Sequence, residues 1–209
     1  IEGSKVVVRM AKRGEKMDTL DGVTRELRGE DLMICDSEKP MCIAGVFGGA
    51  HSGVTKSTKS VFLESAFFNP VAVRKTSKHH TLKTDASFRF ERGADPLVLP
   101  YALKRAAILL NEVAGAVVAG DVVDICTKAF EKASIDLDFE RIRKFIGKDI
   151  DNDTFKKILG FMDFEIKSID GNSATVIAPS YRVDVTWECD VVEEVFRIYG
   201  FNNIELIPN

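Results

Sequence analysis

The spacing of apolar residues changes in kind near Thr127–Ser134, and that change constrains the chain more than any single motif does. Before it, short apolar runs are cut by glycine and proline. After it, helix-length amphipathic stretches flank a single hairpin pattern. The connection itself is polar, contains lysine and has no period. A boundary is therefore expected there, dividing residues 1–128 from residues 129–209. At 209 residues, 45% of them hydrophobic and 29% charged, the chain can bury two modest cores without disulfide staples. The expected class is α+β. A mixed α/β domain comes first, followed by a small module of two helices, a hairpin and a third helix.

In the first part, Lys5–Met10 and Leu32–Asp36 read as strands. Asp21-Gly22 supplies the positive φ of a hairpin turn. Met41–Val46 reads as an apolar strand running into Gly48-Gly49, and Ser60–Ala66 as another strand with Glu64 inside its apolar run. Asn69-Pro70 is a helix cap and first helical residue, with a helix through Val71–Lys78. Asp85 is a candidate cap for a short helix through Phe88–Arg92, closed by Gly93. After Asp95-Pro96, Leu99, Leu103, Ala106, Leu110 and Val113 mark a helix over Leu97–Ala114 that Gly115 ends. Val117–Ile125 is strand-like.

In the second part, Ile135–Leu137 is a short strand. Asp138 caps a helix over Phe139–Ile146 that Gly147 closes. Asp151 or Asp153 caps a second helix through Leu159, closed by Gly160. Phe164–Ile169 and Ala174–Ile177 form a hairpin around Asp170-Gly171. Thr186 is placed to cap a last helix, Trp187–Tyr199, before Gly200.

A formal net charge of −3 argues against binding nucleic acid mainly through phosphate charge, so any RNA contact is local or shared with a partner. Cys35, Cys42, Cys126 and Cys189 fit no zinc spacing and read as reduced thiols. No apolar run reaches the ~20 residues of a membrane span, and no signal peptide is visible. The opening Ile1-Glu2-Gly3-Ser4, without a starting Met, reads as a piece of something longer.

Three blocks carry a resemblance. Ala44–Gly49, Val61–Ala66 and Thr84–Gly93 are, in order and spacing, similar to the editing module of bacterial phenylalanyl-tRNA synthetase β subunits. The run Pro179–Val185, with Asp190, Glu193-Glu194 and Arg197–Gly200, resembles the small domain that follows in those subunits. The likeness covers nearly the whole chain. It departs at Thr81, where the family usually has glycine, and the family's pocket also draws on residues upstream of Ile1.

The resemblance implies hydrolysis of tyrosine wrongly esterified to the phenylalanine tRNA. Tyrosine and phenylalanine differ by one hydroxyl. A site that bonds this hydroxyl rejects the analogue lacking it, because its own polar group is then left unpaired. Glu64 matches the residue that reads the hydroxyl, and Ala44, Gly45 and Ala86 match the small residues around the ring. Hydrolysis of an activated ester needs an oriented water and oxyanion stabilisation, not a nucleophilic triad, and none is visible. From the residues alone, Glu64 also reads as a solvent-facing strand residue, the glycines as tight packing, and Ala86 as a small packed side chain.

Asp190, Glu193 and Glu194 share one face of the last helix, and Asp184 precedes it. Acids near a helix N-terminus also complement its dipole. By resemblance these four are magnesium positions in a site shared with the α subunit of a cytoplasmic α2β2 enzyme. That enzyme uses ATP and phenylalanine tRNA. ATP is expected only in the intact enzyme, because no segment resembles the class II catalytic motifs. His79-His80 reads as an exposed helix end rather than a metal site. Arg89, Arg92 and the lysines of Lys75–Lys83 are either tRNA phosphate contacts or a solvated face. Trp187 is either a core anchor or a contact with the rest of the subunit. Two other functions compete: a free-standing hydrolase acting on mischarged tRNA in trans, and a non-catalytic nucleic-acid-binding module.

Overall fold

The computed structural model describes residues 1–127 and 129–203. Two compact units emerge: Ile1–Ala94 with Val98–Ala119, and Asp95–Leu97 with Gly120–Asn209. Lys128, on which the expected boundary falls, lies outside the described residues. The fold is α+β throughout.

In the first unit, β1 (Val7–Met10), β4 (Leu32–Cys35), β5 (Pro40–Ile43) and β6 (Phe47–Gly48) form an antiparallel sheet in the order β1-β4-β5-β6. Between the first two of these, β2 (Lys16–Asp18) and β3 (Thr24–Glu26) make a separate hairpin. Its turn contains Gly22 at φ 77°, as the Asp-Gly signal predicts. Met33, Ile43, Leu27 and Val46 are at the centre of the core. The apolar run Met41–Val46 is not one strand. Gly45 at φ 67° reverses the chain after Ile43, which pairs with Phe47 across the turn.

Three helices follow. α1 (Pro70–His80) is capped by Asn69, whose Oδ1 accepts Val71 N at 3.0 Å and Ala72 N at 3.1 Å. It closes on Thr81 in the left-handed region, φ 55°. α2 (Asp85–Phe90) is capped by Thr84 rather than Asp85: Thr84 Oγ1 accepts Ser87 N at 3.0 Å, and Ser87 Oγ accepts Thr84 N at 3.0 Å. α3 (Leu99–Ala114) half-buries Leu99, Leu103, Ala106 and Leu110, leaves Val113 exposed, and ends at Gly115.

Two expected strands do not form. Ser60–Ala66 and Val117–Ile125 have no ladder partner among the described residues and stay irregular, with Val61, Phe62, Val117 and Val123 exposed. β-branched composition makes a strand only where an edge is available to pair with.

In the second unit, β7 (Ser134–Asp138), β8 (Glu165–Asp170) and β9 (Ser173–Ile177) form an antiparallel sheet in the order β7-β9-β8. α4 (Phe139–Ile146) is capped by Asp138, which accepts Glu140 N at 3.0 Å and Arg141 N at 3.1 Å, and ends on Gly147 at φ 73°. α5 (Asn152–Phe161) is capped by Asp151 and runs through Gly160 to Met162. α6 (Glu188–Tyr199) ends at Gly200. Alternate residues of β7 and β9 (Ile135, Leu137, Ala174, Val176) face a core shared with Phe139, Leu159, Val191 and Val195. Trp187 is 72% exposed, so it is not a core anchor. The aromatic weight of that core comes from Phe139, Phe155, Phe164 and Phe196 instead.

Candidate functional site

The turn between β5 and β6 presents Ala44 and Gly45. Ala44 is buried, its N–H donating to Leu32 O at 2.9 Å. Gly45 lies close under two rings. A Cβ built there would sit 2.7 Å from Phe68 Cδ2, 3.2 Å from Val73 Cγ2 and 3.3 Å from Phe90 Cδ2. The same two rings meet edge to face at 5.0 Å. The tight-packing reading of Gly45 thus holds, whatever else the residue does. Gly48 and Gly49 pack likewise: their Cβ positions would meet Leu20 Cδ1 at 2.8 Å and Met41 O at 2.5 Å.

The start of α2 is tied to this turn by one hydrogen bond, Thr84 Oγ1 donating to Val46 O at 2.6 Å. Ala86, in the first turn of α2, is therefore carried on an element anchored one residue beyond Gly45. Its methyl is exposed. Nothing in the sequence singled out Thr84 except that hydroxyl residues precede short helices.

Glu64 lies in the irregular segment before Phe68, the residue that caps Gly45. Ser65 Oγ donates to Leu99 O at 3.0 Å and holds the segment to the start of α3. Glu64 has exposed surface, yet burial pushes its pKa above the usual carboxylate range. Both hold, because exposure measures contact with water while desolvation comes from the protein bulk behind the carboxyl. Its charge reaches β5: burial, then the Glu64 carboxylate, push the Cys42 thiol up to about 11. Cys42 directly precedes Ile43 and the Ala44–Gly45 turn. That shift also makes Cys42 a thiol, not a thiolate nucleophile, at neutral pH. No described cysteine is in a disulfide.

Arg92 donates to Phe88 O at 2.8 Å and Glu91 Oε1 at 3.0 Å, and lies 3.6 Å over the Phe88 ring. Arg89 is exposed on α2. His79 and His80 do not both end the helix in solvent. Successive helical residues point about 100° apart, so His79 faces out while the His80 ring is buried against Asp31 at 2.7 Å. A cleft of about 510 Å³ lies beside His79, lined by Arg13, Glu26, Arg28 and Glu30 among others. It includes none of the four pocket candidates, and its mixed charges select no ligand.

The acidic set of the second unit does not converge on a metal. Among the described residues no group of three or more His, Cys, Asp and Glu side chains could hold one. Each carboxylate but one is already committed. Asp184 and Glu194 are paired with Arg182, and Glu194 also with Arg197. Asp190, in the third helical position, accepts Thr186 N at 2.9 Å and Trp187 N at 2.8 Å; Trp187, not Thr186, stands at the N-cap. Glu193 is exposed. As folded, the four residues do not fit Mg²⁺, which takes oxygen ligands in a near-octahedral shell. The chain's own cations were the signal left unread: Arg182 and Arg197 lie within the same resemblance block as the acids. No described helix is long and apolar enough to cross a membrane.

Comparison with known proteins fits this division. Residues 1–115 match the family model described as B3/4 domain, and residues 135–201 the one described as tRNA synthetase B5 domain. Phenylalanine–tRNA ligase beta subunits from Bacteroides fragilis (strain YCH46) and Porphyromonas gingivalis are 46% identical over 206 residues and 47% over 207. Each match takes in 99% of this chain and 25% of the relative. The beta subunit from Yersinia pestis is 42% identical over 205 residues, 97% of this chain and 26% of that protein. The chain thus spans about a quarter of the length of these relatives. A solved N-terminal fragment of the phenylalanyl-tRNA synthetase beta-subunit from Pyrococcus horikoshii matches with TM-score 0.49 at 18% identity. That match covers 94% of this chain and 56% of the other, and is too loose to build on. The chain belongs to the B3/4 domain family and, with a tRNA synthetase B5 domain behind it, corresponds to part of a phenylalanine–tRNA ligase beta subunit.

Proposed function

We propose that the first unit supplies part of a pocket that hydrolyses tyrosine from mischarged phenylalanine tRNA. Glu64 accepts the tyrosine hydroxyl, and Ala44, Gly45 and Ala86 leave room for the ring. The observation that carries this reading is the Thr84–Val46 hydrogen bond of 2.6 Å, which anchors the helix bearing Ala86 to the turn bearing Ala44 and Gly45. The effect of Glu64 on Cys42 supports it by putting the carboxylate within electrostatic reach of the same strand end. A partly desolvated carboxylate favours a phenolic donor over a bare ring, since an unpaired acceptor costs about 1–3 kcal/mol. Water is the nucleophile in this reading. No step needs a metal.

The remaining functions belong to the longer protein in this proposal. There the chain works with an α subunit that binds ATP and Mg²⁺ and carries out aminoacylation, and with phenylalanine tRNA as the RNA partner. Arg89, on the same short helix as Ala86, and Arg92, just beyond its end, are the phosphate contacts in this proposal. The enzyme acts in the cytoplasm, where translation consumes its product.

Ala86→Leu in the full-length protein tests the pocket. The larger isobutyl side chain should slow deacylation of tyrosine-charged phenylalanine tRNA at least about tenfold, leaving aminoacylation intact. Unchanged deacylation would remove Ala86, and the ring position assigned beside it, from the account.

A further inference from the structure

The second unit holds a charge network that is independent of the editing reading. The stretch after Pro179 turns tightly: Arg182 N donates to Pro179 O at 3.0 Å, and Val185 N to Arg182 O at 3.3 Å. This turn lays the Arg182 side chain against α6. Its Nε and Nη2 donate to the two oxygens of Asp184 at 3.1 and 2.9 Å, the fork geometry that a guanidinium offers a carboxylate. Its Nη1 donates to Glu194 Oε2 at 2.6 Å. Arg197 reaches the same oxygen from one turn further along α6, through Nε at 3.1 Å and Nη2 at 2.5 Å. Two guanidinium groups thus face two carboxylates.

Glu194 is only 8% exposed. An ionised carboxylate at that depth requires a counter-charge, and Arg182 provides it from a different element of the chain. Arg182 alone bonds both carboxylates. A divalent cation would need those same oxygens. A guanidinium at hydrogen-bond distance from them fills the space and supplies the charge.

We propose that Arg182 is the resident cation of this cluster, and that with it in place Asp184 and Glu194 do not fit a divalent metal ion. The acidic set is a clamp as the chain folds, tying the turn between Pro179 and Val185 to α6.

The test uses the full 209-residue chain and its single tryptophan, Trp187, which stands at the start of α6 and reports on this unit. In the unaltered chain, about 10 mM MgCl2 should move the melting midpoint seen by Trp187 no more than NaCl of matched ionic strength. Arg182→Gln should melt lower, and Mg²⁺ at tenfold its dissociation constant should raise that midpoint by roughly 3 °C. Should Arg182→Gln not fold, Arg182→Lys carries the same expectation, because an ammonium cannot fork across two carboxylates. Saturable stabilisation of the unaltered chain by Mg²⁺ overturns the proposal. So does a folded Arg182 variant that ignores Mg²⁺.

Discussion

The His80 imidazole meets the Asp31 carboxylate at 2.7 Å, across 49 residues of sequence, and Asp31 has no exposed surface at all. Burial alone would raise that carboxyl. The Arg28 backbone N–H at 2.8 Å, His80, the Arg28 side chain at 3.0 Å and Thr76 Oγ1 at 2.9 Å outweigh it and leave the pKa at about 2. An ionised Asp31 has no proton, so His80 Nε2 is the donor. The contact fixes the last turn of α1 against the Arg28–Asp31 loop, and with it the Thr81–Thr84 connection that delivers α2 to the candidate pocket. Asp31→Ala would leave these four donors facing no acceptor. The expected loss is about 3 kcal/mol, read from urea unfolding of the chain.

The same carboxylate sets an acid limit. Its folded pKa, about 2, lies below its unfolded value of roughly 3.9. Its contribution is therefore complete above about pH 4 and is lost as pH falls toward 2. Asp31→Asn should show a flatter pH dependence of unfolding midpoint across that window than the unaltered chain. Parallel curves would show that Asp31 does not supply the acid sensitivity.

Gly45 is constrained twice, by φ 67° and by Phe68 Cδ2 at 2.7 Å from the missing Cβ. Gly45→Ala is expected to cost roughly 1–3 kcal/mol, as overpacking under an aromatic ring does. Equilibrium unfolding checks it. A stability within about 0.5 kcal/mol of the parent would mean that the Phe68–Phe90 pair gives way easily.

Thr81 makes the opposite case. A β-branched residue at φ 55° is strained, and glycine is the usual residue at such a helix end. Thr81→Gly should stabilise the chain by up to about 1 kcal/mol. A net loss would mean that the glycine's added freedom in the unfolded chain exceeds the relief.

The second unit was the more legible in sequence, because its signals are local. Asp138 before Phe139, Gly147 after Ile146 and Asp170-Gly171 between two apolar runs each act within a turn of chain. The larger failures are long-range. Ser60–Ala66 and Val117–Ile125 have strand composition, but a strand exists only through a neighbour, and composition names none. The sequence reads His79-His80 as an exposed helix end, and nothing local announces that Asp31, 49 residues away, covers His80. The carboxylates near α6 are magnesium positions by resemblance only, and spacing does not show that the fold brings Arg182 and Arg197 to them. Gly45 and Ala86 were found through resemblance. What links them is Thr84, whose hydrogen bond no spacing rule announces.

The most direct test of the central claim is deacylation of phenylalanine tRNA charged with tyrosine, compared with the same tRNA charged with phenylalanine. The full-length enzyme and its Glu64→Ala variant would be measured side by side. If Glu64 accepts the tyrosine hydroxyl, the variant loses most of its preference for the tyrosyl ester, by about tenfold or more, while the phenylalanyl ester is cleaved as before. An undiminished preference in the variant would contradict the account.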